Sequence, residues 1–124
     1  MDFAALLTRA HAAAKEAAKG VTENVNEFDC GNAKVVIDGR EPLANYCRKM
    51  IRQAGARLEG SEKRIAESNA SLEHGTKGYP TGWQWYKPGD DARQSIRIHE
   101  AAANAFRAVL TEANIRAEVI SRLD

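Results

Sequence analysis

The most distinctive residues of the chain are aromatic and lie within one short segment. Trp83 and Trp85, the only tryptophans, stand two positions apart, and Tyr86 follows directly. On a β-strand the two tryptophans share one face and Tyr86 takes the other. Exposed rings stack on bases or fill a pocket of a protein partner, whereas buried rings close a core. Because the three rings alternate, we expect Tyr86 or one tryptophan to lie at the surface.

Two arginines follow the aromatic segment at a spacing that suits a shared binding face. Arg93 and Arg97 are four positions apart, which places them on one side of a second strand. Guanidinium groups bind phosphates and carboxylates through paired hydrogen bonds. The segment therefore predicts a partner-binding surface of rings and arginines. The alternative is a core of tryptophans beside a solvated, charge-neutral sheet face.

A second candidate surface is basic and lies on the helix that begins at Pro42. Arg48, Lys49 and Arg52 fall on its polar side, and Arg48 and Arg52 are one turn apart. Such a face contacts a nucleic-acid backbone or an acidic protein surface. It is equally typical of a helix side that water alone covers.

The chain has no motif that would support catalysis. The three histidines have no metal-ligand spacing, and no phosphate-binding or nucleophile motif is present. His99 and Glu100 could form a base with an orienting carboxylate, or simply begin a helix. Cys47 falls on an apolar helix face, and Cys30 has no histidine nearby in sequence. We therefore predict no catalytic residue, no metal site and no cofactor.

Length and composition indicate one soluble domain spanning residues 1–124. The chain has 124 residues with 44% hydrophobic and 28% charged side chains, and its formal charge of +1 argues against a strongly basic nucleic-acid binder and an acidic DNA mimic. No apolar run approaches the roughly 20 residues of a membrane span, and no secretion signal is evident at the start. We expect a protein of the cytoplasm that does not bind membranes.

The hydrophobic pattern alternates between helical and strand periods. The predicted elements are an alanine-rich helix at 3–19, a strand at 33–38, a helix from Pro42, a weak surface helix at 61–73, a hairpin with strands at 83–87 and 94–99, a helix at 100–113 and a strand at 115–120. This order predicts an α+β fold, a sheet of about four strands with helices packed on one face. The alanine stripe of the first helix packs on the core or on a second copy, which would make a homodimer.

The chain resembles a group of short proteins of tailed phages and prophages. The resemblance covers about two-thirds of the chain and rests on Cys30-Gly31, Ala33, Val35-Val36-Ile37, Gly39, Gly82-Trp83, Trp85, Pro88-Gly89, Gln94-Ser95, the run from Glu100 to Phe106, Val109-Leu110 and the final Ser121-Arg122-Leu123-Asp124. The segment from Gly55 to Lys77 takes no part in it.

This resemblance implies a phage accessory protein acting in the cytoplasm of a bacterial host. Such proteins are often antagonists of host defence, including anti-CRISPR inhibitors that bind a protein or a protein–RNA complex. We therefore expect a non-enzymatic inhibitor of a bacterial defence system. The alternatives are a protein that binds or sequesters a nucleotide and a structural component of the phage.

Overall fold

A computed structural model describes residues 1–21, 30–78, 82–91, 93 and 95–123 of the chain. Its elements follow in the order α1 (Phe3–Gly20), β1 (Gly31–Asp38), α2 (Pro42–Gly55), α3 (Gly60–His74), β2 (Thr76–Lys77), β3 (Gly82–Tyr86), α4 (Ile96–Glu112) and β4 (Ala117–Leu123). The α+β fold expected from the sequence is confirmed.

The four strands form one antiparallel sheet in the order β2-β3-β1-β4. β1 is central, as its run of β-branched residues predicts. Its burial alternates, however: Val35 is buried and Val36 is only half-buried. Three consecutive β-branched residues, Val35 to Ile37, predict a strand that is buried on both faces. That prediction is wrong, because the described helices cover only one face of the sheet.

The covered face carries the core. Val35 lies beside Trp85 on β3 and beside Val119 on β4, so that aromatic and β-branched side chains meet across three strands. α4 packs on β1 and β4, and α1 packs on α4. The predicted alanine stripe of α1, including Ala10, Ala14 and Ala18, is buried within this chain. Short alanine side chains let the two helices approach closely, and the stripe is not free to dock on a second copy.

α2 and α3 form a helical pair beside this layer. Pro42 occupies the first turn of α2, where its missing N–H costs no hydrogen bond. α3 is largely exposed, as predicted, and it begins one residue earlier than predicted, with Glu59 as its N-cap residue. Gly75 ends α3 with a φ of 79°, and a β-carbon there would lie 2.6 Å from the Gln84 carbonyl. Only glycine therefore allows the chain to turn so closely against β3.

The predicted hairpin does not form. From Ile96 onward the residues assigned to its second strand belong to α4, and β3 pairs with β1 and the two-residue β2 instead. Ser95 makes a single bridge with Cys30. Gln94, where the second strand was predicted to begin, lies outside the described residues. Arg93 and Arg97 therefore do not share a strand face.

Candidate binding surfaces

Both tryptophans belong to the core. The Trp83 and Trp85 side chains are only 5% and 2% exposed. Their indole N–H groups donate to the last carbonyls of α3, Trp83 to His74 at 2.7 Å and Trp85 to Glu73 at 3.0 Å. The His11 Nε2 atom donates to the same Glu73 carbonyl at 2.9 Å. The tryptophans thus fasten the end of α3 to the sheet and are not available as exposed binding rings.

Tyr86 is the exposed ring that the alternation predicts. It is 57% exposed at the end of β3, on the face opposite Trp85. The Lys87 Nζ atom lies 5.9 Å from the centre of its ring. The side chain therefore presents an amphipathic ring beside a cation.

Tyr86 belongs to a row of side chains that crosses the uncovered face of the sheet. Lys34 of β1 stands opposite Tyr86 on one side and opposite Ile120 of β4 on the other. Ile120 is 47% exposed, although strands usually bury such a side chain. The three residues place a cation between two apolar groups, and Val36 lies half-buried on the same face. Sequence reasoning missed Lys34 and Ile120 because it did not establish which strands flank β1.

The two arginines predicted beside the rings are separated by the start of α4. Arg93 forms an ion pair with Asp91 at 2.8 Å and donates to the Ala18 carbonyl at 2.9 Å, near the end of α1. Its guanidinium thereby lowers the pKa of Asp91 to about 2. Arg97 is exposed in the first turn of α4. Arg93 therefore connects the end of α1 to Asp91, and these contacts are those of a structural residue.

On the basic side of α2, Arg48 makes contacts within the protein, whereas Lys49 and Arg52 are exposed to solvent. The Arg48 guanidinium donates to the Gly39 carbonyl at 2.7 Å and to Asn45 Oδ1 at 2.9 Å. Its central carbon lies 5.0 Å from the centre of the Trp83 ring. Lys49 and Arg52 are exposed. Within the predicted basic face, Lys49 and Arg52 are therefore the residues whose charges can contact a partner.

Two of the titratable groups considered for catalysis, Cys47 and His99, are buried in the core, whereas Glu100 is half-buried. Burial raises the pKa of the Cys47 thiol to about 12, which keeps it protonated and unreactive near neutral pH. His99 is fully buried, and burial lowers its pKa. The Glu100 carboxylate contacts the Ser121 hydroxyl at 3.4 Å. Among the described residues, no group of three or more histidine, cysteine or acidic side chains could hold a metal ion.

A cleft of about 620 Å³ opens between α1, the end of α3 and the turn after β3. Its lining residues are Thr8, His11, Ala12, Lys15, Leu72, Glu73, Trp85, Tyr86, Lys87, Pro88, Gly89 and Asp90. Lys87 and Asp90 have φ of 48° and 47°, a left-handed conformation that is costly for residues with a side chain. Sequence reasoning located the turn but did not predict the cleft, because residues from α1 and α3 complete it.

Comparisons with known proteins give no relative from which a function could be transferred. No family model matches the chain. No curated protein and no solved structure is significantly similar to it. In the described part of the chain, every helix is too short or too polar to cross a lipid bilayer.

Proposed function

We propose that the protein is a small, non-enzymatic binding protein that docks a protein partner on the uncovered face of its sheet. The observation that carries this proposal is the row formed by Tyr86, Lys34 and Ile120 across three strands. Tyrosine is enriched at the centre of protein interfaces, and the exposed Ile120 adds apolar surface on the same face. The partner surface would be apolar with a carboxylate that meets Lys34.

The partner to test first is a bacterial defence protein or ribonucleoprotein complex in the host cytoplasm. The resemblance to phage accessory proteins favours this class of partner. Such an inhibitor would act by covering a surface that the defence complex needs.

The proposal is tested by affinity capture from bacterial lysate with four forms of the protein. Tyr86→Ala and Lys34→Glu should each lose a partner that the unaltered protein retains, and Tyr86→Ala should cost about 2 kcal/mol or more of binding free energy, the threshold of an interface hot spot. Ile65→Ala is the matched control, because Ile65 is an exposed apolar residue of α3, outside the sheet. A partner retained equally by all four forms would contradict the proposal.

The cleft favours a second candidate function, the binding of a nucleotide. Its volume of about 620 Å³ lies in the range of small-molecule sites. Lys15 and Lys87 would meet the phosphate groups while the exposed Tyr86 ring at the edge of the cleft stacks on the base. Residues in costly backbone conformations, such as Lys87 and Asp90, recur at ligand sites.

Thermal unfolding with a panel of nucleotides distinguishes the two functions. A nucleotide ligand at a hundred times its Kd would stabilise the native state by about 2.7 kcal/mol and raise the Tm. Lys15→Glu should abolish that shift, whereas Lys34→Glu on the sheet face should leave it unchanged. If no nucleotide raises the Tm, the second candidate fails and the docking proposal is unaffected.

A further inference from the structure

β4 forms an outer edge of the sheet. It pairs with β1 on one side, and no other described strand lies along it. Its residues Ile120 and Leu123 are 47% and 64% exposed. An edge strand presents backbone N–H and C=O groups that can pair with another chain. The edge is therefore a surface on which a further strand could be added.

The charges of β4 are placed symmetrically about Ile120. Glu118 and Arg122 each lie two residues from Ile120, so all three share the open face of the sheet. Both charged side chains are exposed. On β1 their direct neighbours are the uncharged Val36 and Asn32, respectively. Neither charge is balanced by the residue opposite it in this chain.

A second copy of β4 would balance both charges. In an antiparallel pair with a two-fold axis at Ile120, the two Ile120 side chains lie opposite each other. Glu118 then lies opposite Arg122 of the second copy, and Arg122 opposite its Glu118. Moving the axis by one residue sets a charged side chain against Ile120 instead. The sequence of β4 is thus complementary to itself in this one register.

We propose that two copies of the protein pair through β4, antiparallel about Ile120, and join their sheets into one. The axis of such a pair stands perpendicular to the sheet, so the helices of both copies lie on one side and both open faces lie on the other. This dimer differs from the one expected through α1, whose alanine stripe is buried within the chain. It does not depend on the proposed function.

Charge reversal and rescue test the pairing. Glu118→Arg or Arg122→Glu alone sets like charges opposite each other at two places in the dimer, and each should weaken dimerisation by about tenfold or more. The combined Glu118→Arg and Arg122→Glu protein should recover the original affinity. Lys63→Glu on exposed α3 is the matched control and should not change it. Sedimentation equilibrium over a range of concentrations measures each Kd.

Cysteine cross-linking tests the register. Ile120→Cys should form a disulfide-linked dimer under mild oxidation, because paired residues on neighbouring strands are close enough for an S–S bond. Ser121→Cys should not, because in this register it lies opposite Val119 of the second copy. The unaltered protein controls for Cys30 and Cys47. A monomer at all concentrations, or a dimer insensitive to both reversals and not linked through position 120, would overturn the proposal.

Discussion

The Trp83 indole N–H donates to the His74 carbonyl at 2.7 Å, and this contact joins β3 to the end of α3. The hydrogen bond is buried, and the His74 side chain beside it is buried as well. The neighbouring Trp85 makes the equivalent bond to Glu73. The segment that sequence reasoning assigned to recognition therefore holds one end of the helical pair in place.

Trp83→Phe should lower the free energy of unfolding by about 1–3 kcal/mol or more, because it leaves the buried His74 carbonyl without its indole donor and also removes ring atoms from a buried site. Tyr86→Phe is the matched control: it deletes a polar group from an exposed aromatic residue of the same strand and should change stability by less than about 0.5 kcal/mol. Equilibrium unfolding in urea measures both. Equal stability of the two variants would show that the indole bond contributes nothing.

Most elements of the fold could be predicted because their signals are local. Asp2 accepts a hydrogen bond from the Ala5 N–H at 3.0 Å, as a helix-capping residue should. The segment at 94–99 shows where local signals fail. Ile96 and Ile98 alternate like strand residues, yet Ile98, Ala102 and Phe106 also share a helix face, and all three are buried. Packing on the sheet selects the helical period over the strand period.

The candidate surfaces were less predictable, because they depend on which elements become neighbours. The alternation of the aromatic segment correctly predicted that a ring would be exposed, and Tyr86 is that ring. The alternation could not show that Lys34 and Ile120 complete the row, because the sequence of a strand does not determine which strands will flank it. Nor could it show that Arg93 reaches the Ala18 carbonyl, 75 positions away in sequence.

Asp91 should make the protein sensitive to acid. The Arg93 guanidinium lowers the pKa of Asp91 to about 2, whereas an aspartate of the unfolded chain titrates near pH 4. The stabilisation is therefore complete above about pH 4 and is lost as the pH falls through about 2. Asp91→Asn should be less stable than the unaltered protein at neutral pH and equally stable below pH ~2.

The control for this prediction is Asp38→Asn. The Arg40 guanidinium, at 3.0 Å, likewise lowers the pKa of Asp38 to about 2, but both side chains of this pair are exposed to water. Solvent screens such a pair, so its loss should hardly change stability at any pH. Urea unfolding of both variants between about pH 2 and pH 7 tests the pair of predictions. A larger effect at Asp38 than at Asp91 would contradict them.

His99 should make stability fall as the pH is lowered from neutral. Burial lowers the pKa of His99, although Asp91 and the Arg93 backbone oppose the shift. The unfolded chain takes up a proton at this residue near pH 6.5, while the folded chain does not until a lower pH. Below about pH 6.5 the unfolded state therefore binds more protons, and the free energy of unfolding falls.

Replacement of His99 by leucine should reduce the slope of stability against pH between about pH 7 and pH 5, whatever its effect on absolute stability. Part of the slope should remain, because burial also lowers the pKa of His74. The comparison requires urea unfolding at several pH values for both proteins. Identical slopes would show that His99 titrates alike in the folded and unfolded chain.

On the basic side of α2, replacement of Arg48 should lower stability, whereas replacement of Lys49 or Arg52 should not. Arg48 bonds to the Gly39 carbonyl and covers the Trp83 ring, so Arg48→Glu should cost about 1–3 kcal/mol of stability. Lys49→Glu and Arg52→Glu should each change stability by less than about 0.5 kcal/mol, because exposed charges interact mainly with water. If these two residues also bind an acidic partner, their reversal should weaken that binding most at low salt. Partner binding that is unchanged by both reversals at every salt concentration would show that Lys49 and Arg52 only keep this side of α2 solvated.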